Sequence, residues 1–568
     1  MVEYAKYILK LNSHQQQQDT PEEDDESCSE PDITDIASKD PLADLTPSEK
    51  ETLWRCRWRC GMKVPQSLPK LLLSFSWAER DNVSQVHLLL DTWGTVPYTV
   101  ALELLQERHP DPTIRQFAVQ SLDSTLADHQ LAKFMLQLVA ILRLETSLDN
   151  ALVRMLLRRS LASHTVGSAL FWHLRAEEHR WPNPERASAI LEAYCRGCGL
   201  EVVKQLVRQT AFIHTLTNLA QEVTQAHRCQ EEQTNELQRQ LQHRQLQQHQ
   251  HLHHLPSPVI PGVDLGDLKP DQCRVMKSAT RPLWLVWDNP HPMANHYTNT
   301  TSLILKRGDD LRQDMLIIQV VSTMGQIWHS EGLDLRLMPY TCLATGNNSG
   351  IIEVVRNART VYNIQRETFF GAIQLHTCKL FQWIKMNNKG VKLDRAIENF
   401  SMSCAGYSVA TFVLGIGDRH PGNIMINTDG IIFHVDFGHI LGNFKKKCGV
   451  KREWAPFVLI PDFVQVISKG ADNPKESKQF RRFQELCGEA YLALRKHRTF
   501  LITLFSLLVS AGMPELQCVD DIEYVRKMLA LDMTEKEASR FFHSRFSAAS
   551  QGAWTYKVDW FFHSMRNR

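Results

Sequence analysis

The segment GIGDRHPGNIMINTDGIIFHVDFGHI, residues 415–440, carries more short polar side chains than an ordinary β-strand needs. Asp418, His420, Asn423, Asp436 and His439 lie close together in it, and an apolar run separates the first three from the last two. Phosphoryl transfer requires groups of this kind, because phosphate charge must be neutralised, Mg²⁺ bound and an attacking hydroxyl aimed in line. The segment therefore predicts a phosphoryl-transfer site.

The spacing within this segment follows a known pattern with one change. Asp418 and Asn423 have the D-x4-N spacing of the protein-kinase catalytic loop H-R-D-L-x-x-x-N, and the apolar run ends in Asp-Phe-Gly at 436–438. The triplet at 418–420, however, reads Asp-Arg-His instead of His-Arg-Asp.

This inversion, together with three upstream segments, resembles the phosphoinositide 3-kinases. MKSATRPLWLVW (276–287) resembles their phosphate loop, and LKRGDDLRQDMLIIQ (305–319) resembles their lysine strand and the helix after it. LMPYTCLATGNNSGIIEVVRNART (337–360) resembles their affinity pocket and hinge. The resemblance extends over about residues 40–568, and among subfamilies the chain is most similar to a class I catalytic subunit. It implies an α+β multidomain fold, with an all-α HEAT-like helical domain followed by a bilobal, protein-kinase-like catalytic domain.

Composition divides the chain into four segments. Residues 1–39 are acidic, with the composition of a disordered or linker segment. In residues 40–222, apolar residues recur at intervals of three and four, which predicts six or more amphipathic helices of a scaffold domain. Residues 223–262 are rich in Gln and His and indicate a linker or solvated helix. Residues 263–568 form the predicted catalytic domain, with strands in an N-lobe (about 263–356) and mainly helices in a C-lobe (about 357–568).

The resemblance implies an ATP site between these lobes. Lys306 matches the lysine that contacts the ATP phosphates, with Asp309 and Asp314 as acids that orient it, although a lone lysine in such a strand is usually a surface charge. The implied ATP-binding set comprises Ser278 in the phosphate loop, Lys306, Asp314 and Tyr340 at the back of the pocket, Glu353 and Val355 in the hinge, and the apolar walls Ile352, Met425 and Val435. Without the family match, the apolar members would be interpreted as ordinary β-core.

The motif segment itself supplies the metal ligands and catalytic groups. Asn423 and Asp436 are hard oxygen donors that suit Mg²⁺, or Mn²⁺, alongside phosphate oxygens. His420 is the candidate to accept or relay the proton of the lipid hydroxyl, because imidazole titrates near working pH. Asp418 either handles that proton itself or orients His420, and His439 is the candidate to stabilise the moving phosphoryl group. The sequence leaves the proton acceptor open between Asp418 and His420.

The sequence departs from the family pattern in the phosphate loop and the catalytic loop. Thr280 occupies the position where class I enzymes commonly carry Lys, so ATP affinity is expected to be lower unless Lys277 compensates. Pro421 and Gly422 replace small polar residues in the catalytic loop. Neither change removes a predicted metal ligand.

A basic cluster after the Asp-Phe-Gly triplet is the predicted site for the substrate headgroup. The cluster comprises Lys445, Lys446, Lys447, Lys451 and Arg452. Lysine runs are most often solvated, but this one follows the predicted metal ligand closely and resembles the class I activation loop, which accepts a bisphosphorylated inositol lipid. The C-terminal aromatic residues Trp554, Trp560, Phe561 and Phe562 resemble the membrane-contacting tail of the family.

Composition restricts the partners and the compartment. With 64 basic and 63 acidic residues, the chain lacks the basic excess of a general nucleic-acid binder. Thirteen scattered cysteines, without a signal peptide or a spanning apolar run, favour reduced thiols in a cytoplasmic protein. The resemblance implies that this protein is recruited to the inner face of the plasma membrane. The resemblance implies phosphoinositide lipids as partners and a phosphotyrosine-binding adaptor subunit that meets acids near Asp44, although Pro47 replaces a second acid there. The chain lacks recognisable modules of the family upstream of residue 40, which indicates a truncated form.

Two other functions are compatible with parts of this pattern. A Ser/Thr protein kinase of the related large-kinase family shares the Asp-Arg-His and Asp-Phe-Gly triplets, but the basic cluster argues against a peptide substrate. A helical scaffold with a degenerate kinase lobe is favoured by Thr280 and opposed by the presence of Lys306, Asn423 and Asp436.

Overall fold

The fold is described from a computed structural model. It describes residues 28–226, 229–246, 252–260, 262–278, 280–291, 299–367, 379–444, 446–447, 450–451 and 455–551. The chain forms two compact units, one of residues 1–127 and 144–155, the other of residues 128–143 and 156–568. No helix among the described residues is long and apolar enough to cross a bilayer. The basic positions Lys445 and Arg452 and the C-terminal aromatic residues lie outside the described residues.

The first unit is helical, as the apolar periodicity predicts. Its helices are α1 (Glu30–Ala37), α2 (Pro47–Arg55), α3 (Arg57–Lys63), α4 (Leu68–Leu71), α5 (Arg80–Thr92), α6 (Tyr98–Leu104) and α7 (Pro112–Thr125). Asp111 caps α7, where its carboxylate accepts the N–H groups of Thr113 and Ile114 at 2.9 and 3.0 Å. A buried ion pair between Arg115 and Glu145, 2.7 Å apart, lies in this unit.

The structure corrects two expectations for the start of the chain. Residues 30–37, predicted to be disordered, form α1 because Ile33 and Ile36 fall on one face and are both buried. A composition window averages these two residues into an acidic background, but two apolar side chains three positions apart are enough to dock a short helix. Cys28 and Cys56 form a disulfide with Cα atoms 5.7 Å apart, whereas reduced thiols were expected.

A second set of helices precedes the sheet. It comprises α8 (Asp128–Lys133), α9 (Met135–Leu142), α10 (Ala151–Ala162), α11 (His164–Glu177), α12 (Pro184–Gly197), α13 (Leu200–Ala226) and α14 (Gln230–Leu246). Helix α14 lies in the predicted linker but is a packed element, because Leu237 and Leu241 are fully buried. Gln230 and Gln238 donate to the carbonyls of Val275 and Cys273 at 2.8 and 2.9 Å. The polar tract thus contains a narrow apolar stripe, and its glutamines hydrogen-bond to a strand edge.

A five-stranded antiparallel sheet follows, in the order β3-β4-β5-β7-β6. Its strands are β3 (Arg274–Val275), β4 (Leu283–Asp288), β5 (Thr300–Arg307), β6 (Cys342–Gly346) and β7 (Ser349–Glu353), and a separate pair is formed by β1 (Leu255–Pro256) and β2 (Asp264–Leu265). Helix α15 (Arg312–Ser330) follows β5 and begins next to the predicted active site.

The remaining elements are mostly helical, as predicted. They are β8 (Ala358–Thr360), α16 (Val361–Glu367), α17 (Lys379–Asn387), α18 (Val391–Leu414), β9 (Ile424–Asn427), β10 (Ile432–His434), β11 (Lys446–Lys447), β12 (Val450–Lys451), α19 (Pro461–Ile467), α20 (Lys478–Lys496), α21 (Arg498–Ser506), α22 (Glu523–Met528) and α23 (Glu535–Gln551). Strands β10, β9 and β8 form a small antiparallel sheet.

The end of α18 sets the position of the catalytic loop. The helix ends at Gly415, which has a left-handed φ of 58°. A side chain is also excluded there, because a Cβ on Gly415 would lie 2.4 Å from the backbone nitrogen of Gly442. The glycine lets the chain reverse directly from a buried helix into Asp418 and the residues after it.

Candidate active site

The β9–β10 hairpin brings the two predicted metal ligands to the same end of a short sheet. His434 pairs with Ile424, and one residue further out the N–H of Val435 donates to the carbonyl of Asn423 at 3.0 Å. Asn423 therefore lies beside the residue that precedes Asp436. The side-chain amide nitrogen of Asn423 donates to the carbonyl of Asp418 at 3.0 Å, which turns its Oδ1 the other way. An amide oxygen and a carboxylate at one hairpin end fit Mg²⁺, which prefers a few hard oxygen ligands and phosphate.

Both aspartates in the motif have strained backbone conformations. Asp418 and Asp436 have φ values of 56° and 62°, in the left-handed region that costs a non-glycine residue of the order of 1–3 kcal/mol. Arg419, which is 5% exposed, holds this backbone by donating to the carbonyls of Gly417 at 2.7 Å, Val435 at 2.8 Å and Asp436. Arg419 therefore connects the catalytic loop to the Asp-Phe-Gly segment by hydrogen bonds. The sequence motif did not predict this role.

Lys306 on β5 meets the Asp-Phe-Gly segment, as the ATP-site prediction requires. Its Nζ lies 2.9 Å from a carboxylate oxygen of Asp309 and 3.6 Å from Oδ1 of Asp436. Burial lowers the pKa of Lys306, but the carboxylates of Asp436, Asp314 and Asp309 outweigh burial and raise it well above the usual value. The ammonium group is thus a permanent cation beside a predicted metal ligand.

Gln313 and Asp314, at the start of α15, hold both sides of the same peptide unit. Oδ1 of Asp314 accepts the N–H of Phe437 at 3.1 Å, and Nε2 of Gln313 donates to the Phe437 carbonyl at 2.8 Å. Burial raises the pKa of Asp314 from 3.8 to about 6, although Lys306 and the Phe437 N–H act in the opposite direction. Asp314 is therefore both a support for the Asp-Phe-Gly segment and a buried acid near Lys306.

The two candidate histidines have different partners. Nδ1 of His420 accepts the backbone N–H of Gly422 at 3.1 Å. Nδ1 of His439 lies 3.1 Å from Oε1 of Glu515, while the His439 carbonyl accepts the N–H of Gly417 at 2.9 Å. Glu515 lies 76 positions beyond His439 and belongs to no motif identified in the sequence, so only the fold reveals this contact.

The residues predicted to contact adenine lie on β7 and just after it, and on β9 and just after β10. Ile352 on β7 pairs with Ile304 and Cys342, and Oε2 of Glu353 accepts the N–H of Thr341 at 2.9 Å. The apolar members of the set are half-buried, whereas their strand neighbours, such as Ile351 and Ile424, are almost fully buried. Half-buried apolar side chains are typical of cleft walls. Of the predicted set, Ile352, Glu353, Val355, Met425 and Val435 are half-buried, whereas Tyr340, which is 7% exposed, is buried.

The phosphate-loop residues follow β3. Ser278 is exposed, and its carbonyl accepts the N–H of Arg281 at 3.2 Å, which closes a tight turn before β4. Oγ1 of Thr280 is buried without a hydrogen-bond partner among the described residues. A buried hydroxyl of this kind retains the capacity to donate to a phosphate oxygen but adds no positive charge.

The described part of the basic cluster forms a small hairpin. In the backbone pairing, Lys446 lies opposite Lys451, and Lys447 lies opposite Val450. This places three of the five basic positions on two adjacent strands, an arrangement not predicted from sequence.

Comparisons with known proteins agree with this geometry. Residues 300–518 match the family described as phosphatidylinositol 3- and 4-kinase, and residues 22–207 match the accessory (PIK) domain of the phosphoinositide 3-kinase family. The chain is 37% identical over 516 residues to "Phosphatidylinositol 3-kinase 2" of Dictyostelium discoideum, covering 90% of this chain and 27% of that protein. It is 36% identical over 509 residues to "Phosphatidylinositol 3-kinase 1" of the same organism, covering 89% and 31%. The chain thus spans less than a third of the length of these curated relatives. The chain therefore has an accessory (PIK) domain of the phosphoinositide 3-kinase family followed by a phosphatidylinositol 3- and 4-kinase catalytic domain.

Proposed function

We propose that this chain is an ATP-dependent kinase that phosphorylates the 3-hydroxyl of phosphatidylinositol lipids. Its preferred acceptor is phosphatidylinositol 4,5-bisphosphate, and its product, phosphatidylinositol 3,4,5-trisphosphate, acts in signalling. The observation that carries the proposal is the ion pair between Lys306 and Asp436, 3.6 Å apart, with Asn423 at the same hairpin end. This set combines a phosphate-binding cation with two oxygen ligands for a metal, which a degenerate kinase lobe would not need to keep.

The predicted site residues contribute to phosphoryl transfer in two ways: some neutralise phosphate charge and others hold the metal ligands in position. Lys306 neutralises phosphate charge, and Thr280 donates a hydrogen bond from the phosphate loop. Asn423 and Asp436 would hold Mg²⁺, or Mn²⁺, which when bound supplies charge neutralisation at the phosphates. Arg419 keeps the two strained aspartates in place, so the ligand geometry does not have to be rebuilt at each turnover.

The basic cluster supports a bisphosphorylated lipid as the acceptor. Lys446, Lys447 and Lys451 lie on a two-stranded hairpin that follows the Asp-Phe-Gly segment. Phosphate groups at positions 4 and 5 of an inositol ring require several cations in a small area, and a peptide hydroxyl does not. A class I type of activity follows from this preference.

The partners and the location follow from the same proposal. The enzyme acts on phosphoinositides at the inner face of the plasma membrane and is recruited from the cytoplasm. Its adaptor is a phosphotyrosine-binding regulatory subunit that contacts the region around Asp44, which is exposed before α2.

A radiolabelled-ATP assay with mixed phosphoinositide vesicles and a peptide pool tests the activity. Wild type is expected to label lipid, with the product identified by its 3-phosphate, and Asp436→Asn is expected to label nothing. Label in peptide but not in lipid would support the protein-kinase alternative. Absence of label with intact folding would support the scaffold alternative.

Neutralising Lys445, Lys446 and Lys447 to Ala tests the acceptor. Use of phosphatidylinositol 4,5-bisphosphate should fall more than use of phosphatidylinositol. The exposed residue Lys389, changed to Ala, controls for a general loss of positive charge. Equal losses on both lipids would show that the cluster does not select the headgroup.

A further inference from the structure

The segment from Asp436 to Ile440 is held from two separate parts of the fold. Gln313 and Asp314 on α15 bind the peptide unit of Phe437, as described above. Glu515, in the loop after α21, accepts the N–H of Ile440 with Oε2. The backbone N–H of Glu515 in turn donates to Oε1 of Gln313 at 3.1 Å. The Glu515 carboxylate therefore has a fixed position relative to both the Asp-Phe-Gly segment and α15.

The contact between Glu515 and His439 favours one tautomer of the neutral His439 ring. Oε1 of Glu515 lies 3.1 Å from Nδ1 of His439, and the Glu515 side chain is 16% exposed. An ionised carboxylate is only an acceptor, so Nδ1 must carry the hydrogen. In the neutral ring, Nε2 of His439 then has the lone pair and acts as a proton acceptor.

His420 has the opposite arrangement. Its Nδ1 accepts the N–H of Gly422, so in the neutral ring the hydrogen lies on Nε2. A ring with Nε2–H is a hydrogen-bond donor, suited to a phosphoryl oxygen and not to removing a proton. These hydrogen bonds favour a different division of roles from the sequence expectation, in which the proton acceptor was left open between Asp418 and His420 and His439 was the candidate to stabilise the phosphoryl group.

We propose that Glu515 is a positioning residue that makes His439 the proton acceptor of the reaction. The proposal rests on the proposed lipid-kinase function. As the inositol oxygen forms its bond to the γ-phosphorus of ATP, its proton moves to Nε2 of His439. The bond between the γ-phosphorus and the bridging oxygen breaks, and ADP leaves with that electron pair. The imidazolium that forms is stabilised by the carboxylate at its Nδ1, as in other carboxylate–histidine pairs.

Glu515→Gln tests the proposal because the substitution preserves shape. When the Gln oxygen accepts the N–H of Ile440, its amide nitrogen faces Nδ1 of His439 and donates to it. The ring is then forced to carry its hydrogen on Nε2, the wrong tautomer. A positioned proton acceptor contributes about 10²- to 10⁴-fold to rate, so kcat for lipid should fall by about 100-fold or more. The KM for ATP should change less than about twofold, because Glu515 is not among the residues assigned to ATP.

A double-mutant cycle with His439→Ala separates positioning from a structural role. If Glu515 acts through His439, Glu515→Gln has almost no further effect in the His439→Ala background. Glu523→Gln, which changes a half-buried glutamate eight positions away that pairs with Arg526, is the matched control and should leave kcat unchanged. Thermal unfolding and binding of a fluorescent ATP analogue show that each variant is folded.

The outcomes distinguish the two proposals. Wild-type protein that labels no lipid refutes the proposed function. Wild-type protein that labels lipid, with Glu515→Gln retaining kcat within threefold, overturns the role of Glu515. Equal fold-losses from Glu515→Gln in the wild-type and His439→Ala backgrounds overturn it as well, since they indicate a structural effect.

Discussion

Replacing Asp314 by Asn should stabilise the folded chain while impairing its activity. Asp314 is buried, and its pKa is raised by burial from 3.8 to about 6 despite the nearby cation of Lys306. Asn keeps the oxygen that accepts the N–H of Phe437, 3.1 Å away, and removes the buried charge. It therefore resembles the protonated form of the native carboxyl group.

The size of the stability gain and its dependence on pH follow from the linkage between protonation and folding. The pKa of Asp314 is about 6 in the folded chain and 3.8 in the unfolded chain, a difference that corresponds to about 3 kcal/mol. A raised acid pKa means that the folded state binds the proton more tightly than the unfolded state does. Below about pH 3.8 the carboxyl group is protonated in both states, so Asp314 does not lower the free energy of unfolding there. Its full cost of about 3 kcal/mol is reached above about pH 6. The stability gain of Asp314→Asn should thus be about 1 kcal/mol at pH 4.5 and about 3 kcal/mol at pH 7.5.

Differential scanning calorimetry without nucleotide or Mg²⁺ measures this gain as a rise in the transition temperature of the second unit. Asp309→Asn is the control, because it removes a second carboxylate beside Lys306 whose side chain is 41% exposed. An equal shift in the two variants, or a gain from Asp314→Asn that does not grow between pH 4.5 and 7.5, would refute the reasoning. Lipid-kinase activity of Asp314→Asn should fall, because Lys306 loses one of its orienting charges, as expected for a site that sacrifices stability for function.

Three further predictions concern neighbouring groups. Arg419→Lys retains the charge, but a lysine cannot donate to all three carbonyls, so the free energy of unfolding should fall by about 2–4 kcal/mol. The loss is measured as a lower transition temperature. An unchanged temperature would contradict the stabilising role of these hydrogen bonds. Thr280→Lys adds a cation to the phosphate loop worth about 1 kcal/mol, so the KM for ATP should fall about fivefold in steady-state kinetics; a higher KM would show that the loop has no place for it. Asn423→Ala should raise the Mg²⁺ concentration needed for half-maximal lipid labelling, and an unchanged Mg²⁺ titration would remove Asn423 from the metal site.

Local sequence predicted the parts of the site that are close in the chain. Asn423 and Asp436 are separated by two short apolar strands and a turn, and a hairpin is the simplest way to bring such residues together. Lys306 is 130 positions from Asp436, and no spacing rule joins them; the family resemblance supplied that pair. In the structure Lys306 lies 3.6 Å from Asp436, and Asn423 is hydrogen-bonded to Val435, the residue before Asp436.

The parts that were missed depend on tertiary packing. Glu515 acts across 76 positions, and its sequence context gives no chemical signal. The bonds from Arg419 go to backbone carbonyls, and a carbonyl has no sequence identity to detect. Glutamines dominate the composition of α14 and predict a linker or a solvated helix, whereas two leucines four positions apart, Leu237 and Leu241, are fully buried.

The start of α15 joins the helical region to the catalytic segment through consecutive residues. Arg312, with a side chain 2% exposed, pairs with Glu177 at the end of α11 and donates to the carbonyl of Ala511 at 3.0 Å. Gln313 and Asp314 then hold Phe437. Because a buried cation is costly to leave unpaired, α11 and this helix start are expected to move together. Helix α11 also packs directly against β6, a strand of the sheet that carries Lys306, so a displacement of α11 would act both on the support of the Asp-Phe-Gly segment and on that sheet. These contacts agree with the single compact unit that the helices from residue 156 onward form with the catalytic domain.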